Sequence, residues 1–401
     1  MRTTWTFHGP GQLLFGPHAV RQLPDVLDRL GARRVFIITD PALIQAGVAE
    51  RVHAPLSRSG EAVELFPGGE PEPTMAAAQR CIDAARAFGP DAVLGLGGGS
   101  NMDLAKATAL VLTHGGGLRD HFGEDRVPGP LLPVLCLPTT AGTGSEVSGS
   151  FVLTDTEHHL KVGVLSNHLR PRVALVDPLL TVSCPRQVTA DSGIDALTHA
   201  IEAYTAVDNA DFALPEGERT IYQGRHPMGD MLAERAIALV GRHLRRAVAD
   251  GHDLEAREGM ALAATLAGLA FSNVGVALVH ALEYPVGGAV HVSHGAGNGL
   301  LLPAVMRYNL PLRVKEFANI ARLLGEDVLG LTDHQAAERA VAAVERLRAD
   351  IGIPQRLRDL GAREDQLRGF AEKAIGIRRI LRVNPRTPTV DELEALYREM
   401  F

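Results

Sequence analysis

The chain has 401 residues, 46% hydrophobic and 22% charged, enough for two or three domains with a large buried core and inconsistent with a mainly disordered protein. Forty Lys and Arg against 47 Asp and Glu give a net charge of −7, so no overall basic field recruits nucleic acid or an anionic membrane. Three scattered cysteines (Cys81, Cys136 and Cys184) argue against a disulfide framework or thiolate metal site. MRTTWTFHGP lacks a signal-peptide core, and no apolar stretch reaches about 18 residues, so a cytoplasmic enzyme is expected.

In chain order, Arg34 to Thr39 reads as a short β-rich run and Thr74 to Phe88 has helical spacing behind a Pro-Thr start. Ala92 to Leu96 is a second strand, Asn101 to Thr113 a helix, and Leu131 to Leu137 and Arg172 to Asp177 further strands. Strands alternating with helices predict a mainly parallel α/β sheet covered on both faces. Beyond Pro185 helical patterns take over, at Asp191–Tyr204, Asp230–Ala249, Leu254–Phe271, Gln335–Ala349 and Val390–Met400. The expected division is therefore an α/β dinucleotide-binding domain over residues 1–185 and an all-α domain over 186–401. Val207 to Gly229, with two prolines and little periodicity, reads as a long loop.

Forty-two glycines, many of them clustered, mark places where backbone approaches a ligand. Gly95 to Ser100 reads GLGGGS between a strand and a helix, where backbone N–H groups can meet phosphate oxygens. A tight strand-to-helix turn explains the same residues. Pro138 to Glu146, PTTAGTGSE, follows another strand and suits a loop around a phosphate or ribose, or a plain turn of small residues. Two such loops at strand carboxyl ends together favour a dinucleotide. Asp40 closes the strand from Val35. Its carboxylate can accept from both ribose hydroxyls and repel a 2′-phosphate, favouring NAD over NADP, or simply cap the helix starting at Pro41.

Sixteen histidines invite a search for a metal site. Asp195 and His199, four apart, share one helix face, while Ile194, Leu197, Ile201 and Tyr204 mark an apolar stripe on another. The plain alternative for the pair is a solvated face. His280 and His294 flank a segment broken by Pro285 and Gly287-Gly288, and a helix, a turn and a new helix start would bring both imidazoles to one point; the plain alternative for each is a structural histidine. One carboxylate with three imidazoles suits iron or zinc, and His291 is a competitor or supporting group.

Four segments together resemble the iron-containing (group III) alcohol dehydrogenases: Gly97 to Lys106, Pro138 to Ser148, Asp195 to Tyr204, and His280 to Gly295. The likeness runs from Phe15-Gly16 to Asn384-Pro-Arg386. It implies a dehydroquinate synthase-like architecture, an N-terminal α/β dinucleotide-binding domain and a C-terminal helical domain with the active site in the cleft between them. By position, Asp195, His199, His280 and His294 are the implied metal ligands. Gly97, Gly98, Gly99 and Ser100 hold the pyrophosphate and Asp40 the adenosine ribose. Asp103, Thr139, Thr140 and Ser145 lie along the cofactor, with Lys161 near the nicotinamide.

Two departures stand out. Many relatives read His-Ala-Leu-Ala-His at the third ligand, the last His relaying a proton. This chain reads His280-Ala-Leu-Glu-Tyr284, so that relay runs through Tyr284, through water, or is absent. The stretch Val207 to Gly229 is also longer than in small members. The reaction implied is reversible hydride transfer between a primary alcohol or aldehyde and NAD(H), assisted by Fe2+, with Zn2+ the rival ion. Phe271 and Val276 line the pocket or belong to helix core. The partner is then a small-molecule alcohol or aldehyde, with no nucleic acid or membrane, in a homodimer or larger homo-oligomer. Rivals are a hydroxyacid or semialdehyde dehydrogenase or transhydrogenase, marked by a cation such as Arg225 or His226 near the metal, and a zinc polyol dehydrogenase. A non-catalytic NAD- and metal-binding redox sensor would have lost ligands or the phosphate loop.

Overall fold

The computed structural model describes residues 2–157, 160–290 and 292–401. They form two compact units, a sheet unit of His8–Cys184 with Gly217–Ile221, and a helical unit of residues up to Phe7 with Pro185–Glu216 and Tyr222–Phe401.

Among the described residues the sheet unit has nine strands: β1 (Gln12–Phe15), β2 (Arg34–Ile38), β3 (Ala62–Phe66), β4 (Ala92–Gly97), β5 (Gly123–Glu124), β6 (Val134–Pro138), β7 (Ser150–Asp155), β8 (Leu160–Leu165) and β9 (Val173–Val176). Six make a wholly parallel sheet in the order β1-β9-β6-β4-β2-β3. The helices are α1 (Leu23–Leu30), α2 (Pro41–Gln45), α3 (Val48–Ser59), α4 (Met75–Phe88) and α5 (Gly99–His114). Strand alternation sends Val35 and Ile37 to one face, with Leu94 and Leu96, against α1 and α3. Phe36 and Ile38 go to the other, with Val93 and Cys136, against α4 and α5. Both faces are buried, so the central strands read as unbroken apolar runs. β7 and β8 form an antiparallel hairpin, with β5 parallel to β8, whose Phe151, Leu153 and Val164 join the α5 side of the core.

The helical unit comprises α6 (Arg186–Thr205), α7 (Pro227–Ala249), α8 (Leu254–Val274), α9 (Leu278–Val290), α10 (His294–Asn309), α11 (Val314–Leu323), α12 (Asp333–Asp350), α13 (Leu367–Ala374), α14 (Arg378–Leu381) and α15 (Val390–Glu399). The expected break at Pro285 and Gly287-Gly288 does not occur: α9 runs through them to Val290. Proline removes one N–H there, but buried Leu282, Pro285 and Val286 hold the helix by packing. Residues 2–7 join this unit through a bond from Arg2 N–H to the Ala210 carbonyl and paired bonds between Thr6 and Gln223. Trp5 stacks on His226 at 4.6 Å. The long loop is tied by an Asp208–Arg225 bridge and ends at Pro227, earlier than expected, because His226 Nδ1 accepts the Gly229 N–H and caps α7. Among the described residues, no single helix is long and apolar enough to cross a membrane.

Candidate functional site

Helix α6 carries Asp195 and His199, α9 carries His280, and α10 begins at His294. The helices approach closely because Gly295 has no side chain: a Cβ there would lie 2.0 Å from the Asp191 carbonyl oxygen. Asp195, His199 and His280 are only 2–4% exposed, which rules out a solvated polar face. Ligand atoms of Asp195, His280 and His294 lie within 4.8 Å of one another. His280 Nε2 is 4.0 Å from Asp195 Oδ1, and His199 Nδ1 is 3.9 Å from Asp195 Oδ2. His199 stands beside this trio, stacked on the rings of Phe271 and His280 at 4.3 and 4.8 Å. His291 lies outside the described residues.

Two features fit a cation. The amide nitrogen of Asn298 donates to Asp195 Oδ1 at 2.8 Å and lies 3.2 and 3.1 Å from Nε2 of His280 and His294, so three acceptor atoms converge on one electropositive group. His199 Nδ1 is buried with no hydrogen-bond partner. A buried lone pair without a donor is costly unless something else occupies it. Burial pushes the His199 imidazole down to about 4, which keeps it neutral and able to ligate. Desolvation pushes the Asp195 carboxyl up, but His199, His294 and His280 outweigh it and hold it below the ordinary value. A carboxylate beside imidazole nitrogens suits iron or zinc.

In the sheet unit the two glycine-containing loops meet. Gly97 ends β4 and Gly98 caps α5. The Gly97 carbonyl accepts from Thr139 N–H, and a Cβ on Gly99 would lie 2.9 Å from Thr143. The N–H groups of the first turn of α5, at Gly99 and Ser100, therefore open beside Thr139 and Thr140. Asp40 caps α2, its Oδ1 accepting Leu43 N–H, while its Oδ2 accepts from Asn101 Nδ2. Asp103 and Ser145 turn inward. Ser145 Oγ donates to Asp103 Oδ1 and Val152 N–H to Asp103 Oδ2, so the carboxylate ties the second loop to β7. Lys161, on β8, pairs with Glu72 at 2.9 Å. Tyr284 has its ring 6.1 Å from that of His294. Arg225 is spent on Asp208, Asp230 and Glu316, and His226 is the α7 cap under Trp5, so neither stands as a cation for a substrate carboxylate.

Sequence reasoning missed Lys106, Asn101, Glu202, Glu283 and Asn298. Lys106 is fully buried and donates to Ser145 Oγ and Ser148 Oγ and to the carbonyls of Ser145, Ser148 and Ser150. Its signal was present: a lysine three residues after Asp103 within an otherwise apolar helix. The glutamates gave none, because a lone Glu on a helix ordinarily faces water.

A doubly covered parallel sheet with paired loops in one unit, and a carboxylate–imidazole cluster in a second, helical unit, define a class. The family model described as iron-containing alcohol dehydrogenase matches residues 10–178, and that for the Fe-containing alcohol dehydrogenase family, C-terminal, matches residues 218–401. The NAD-dependent methanol dehydrogenase of Bacillus methanolicus is 38% identical over 387 residues, covering 96% of this chain and 97% of that one. The 1,3-propanediol dehydrogenase of Klebsiella pneumoniae is 39% identical over 394 residues, covering 98% and 97%. A crystal structure of 1,3-propanediol oxidoreductase superposes with a TM-score of 0.93 at 38% identity, covering 99% and 100%. The chain belongs to the iron-containing alcohol dehydrogenase family and is an oxidoreductase.

Proposed function

We propose that this enzyme interconverts a primary alcohol and its aldehyde, exchanging hydride with NAD(H), at a divalent metal held by Asp195, His199, His280 and His294. The convergence of Asp195, His280 and His294 acceptor atoms within 4.8 Å carries the reading. A divalent ion there supplies Lewis acidity, and the nicotinamide supplies the hydride acceptor. The residues do the rest. Asp195 contributes the one negative charge among the ligands, and burial keeps His199 neutral as a donor. Gly97, Gly98, Gly99 and Ser100 bind the pyrophosphate at the α5 N-terminus, Asp40 receives the adenosine ribose, and Thr139 and Thr140 flank the nucleotide. Asp103 and Ser145 serve it by bracing the loop. Lys161, oriented by Glu72, is assigned to the nicotinamide end. Tyr284 is assigned to move the hydroxyl proton. We place the enzyme in the cytoplasm as a homodimer or larger assembly, with Fe2+ the working ion and Zn2+ its competitor.

The test is to strip the metal, reload anaerobically with Fe2+ or Zn2+, and follow NADH formation on primary alcohols, diols and hydroxyacids. Turnover restored by Fe2+ and strongest on simple alcohols is expected. Restoration on hydroxyacids alone would replace the substrate class, and tight NAD binding without turnover under any metal would replace catalysis with sensing.

A further inference from the structure

The nitrogens of His280 and His294 that face away from Asp195 both meet buried carboxylates. Glu202 Oε2 lies 2.5 Å from His280 Nδ1, and Glu283 Oε2 lies 2.6 Å from His294 Nδ1. A carboxylate can only accept, so each Nδ1 carries the hydrogen and each Nε2 presents its lone pair. Glu202 has a second duty, accepting the N–H groups of Ala277 and Val279 at the start of α9. Glu283 lies on α9 between Leu282 and Tyr284. It is fully buried, although His294 itself is 30% exposed. The neighbouring helix leaves room for it: a Cβ at Gly297 would lie 2.8 Å from Glu283 Cγ.

Resting on the metal site proposed above, we infer that Glu283 is a positioning residue that fixes the tautomer and ring orientation of His294, as Glu202 does for His280. His294 starts its helix and is partly exposed, so its packing alone leaves the imidazole freedom to turn. Its bond to a carboxylate buried between α9 and α10 removes that freedom and strengthens Nε2 as a donor. Gly297 belongs to the device by making space for the carboxylate.

The test measures Zn2+ and Co2+ affinity by chelator competition on metal-free protein, with Co2+ absorption reporting coordination and urea midpoints reporting folding. Losing such a partner ordinarily weakens metal binding about 10–100-fold. Glu283→Leu is expected to lose affinity in that range. Glu283→Gln, which keeps an acceptor for Nδ1–H, should fall between it and the unsubstituted protein. Gly297→Ala should weaken binding while deleting no hydrogen-bonding group. The decisive arm is Glu283→Leu in a His294→Ala background, where it should cost nothing further. Unchanged affinity in the single variants overturns the inference, and so does an equal loss in both backgrounds, since that marks general structural damage. If Glu283→Leu does not fold, Glu283→Gln alone and in the His294→Ala background carries the same comparison. Failure of the unsubstituted protein to take up one equivalent of either ion would remove the metal site itself, and the inference with it.

Discussion

At the scale of single residues, Lys106 shows how a buried charge can shape a loop it does not belong to. Its ammonium has five oxygen partners, all from Ser145, Ser148 and Ser150. Desolvation pulls its pKa down while the nearby Asp103 carboxylate opposes that shift. Replacing it with Met would strand three carbonyls and leave Asp103 without its counter-charge. Removing one member of a buried pair costs about 3–5 kcal/mol. Lys106→Met is therefore expected to lower the urea midpoint strongly and to weaken NAD binding, read by titration of NADH fluorescence. An unchanged midpoint would mean that water reaches the pocket and replaces the ammonium. The same scale explains what the sequence concealed. Asp195, His199, His280 and His294 announce themselves as metal-binding types, whereas Glu202, Glu283 and Asn298 acquire meaning only once α6, α9 and α10 are brought together.

At the scale of elements, α7 begins at a titratable cap. His226 Nδ1 accepts the Gly229 N–H, and burial holds the imidazole below its ordinary value of 6.5. The unfolded chain then takes up the proton first, so the cap's contribution is complete above about pH 6.5 and is lost progressively as the pH falls below it. His226→Asn keeps a capping acceptor that does not titrate. Between pH 7 and pH 5 its urea midpoint should fall less than that of the unsubstituted protein, and parallel falls would dismiss the cap as the cause. Elements with a strong local pattern were readable: β2 and β4 from their apolar runs, α6, α7, α8 and α12 from their periodicity. β1 and β3 were not, because edge strands are partly exposed and Glu64 interrupts the apolar pattern of β3. In α9 and α10, Pro285 and Pro303 oppose the helix locally, and burial from neighbouring helices overrides them.

At the scale of the whole molecule, the two proposed ligands fall on different units, which hydrogen exchange can separate. Zn2+ added to metal-free protein should slow exchange in α6, α9 and the start of α10, by mass action on the folded form. NAD should protect the β4–α5 turn and residues 138–148. Metal-dependent protection confined to other segments would relocate the site. The threading of the chain has a consequence for its synthesis. β1 is made early, yet its hydrogen-bonding neighbour is β9, with Gln12 opposite Val173, and Thr6 waits for Gln223, 217 residues further on. A ribosome therefore releases the first segments long before their partners exist, and the central strands β2 and β4 can pair while β1 is still idle. In the growing polypeptide β1 stays an unpaired segment until β9 is made, and a chaperone would be expected to dwell there.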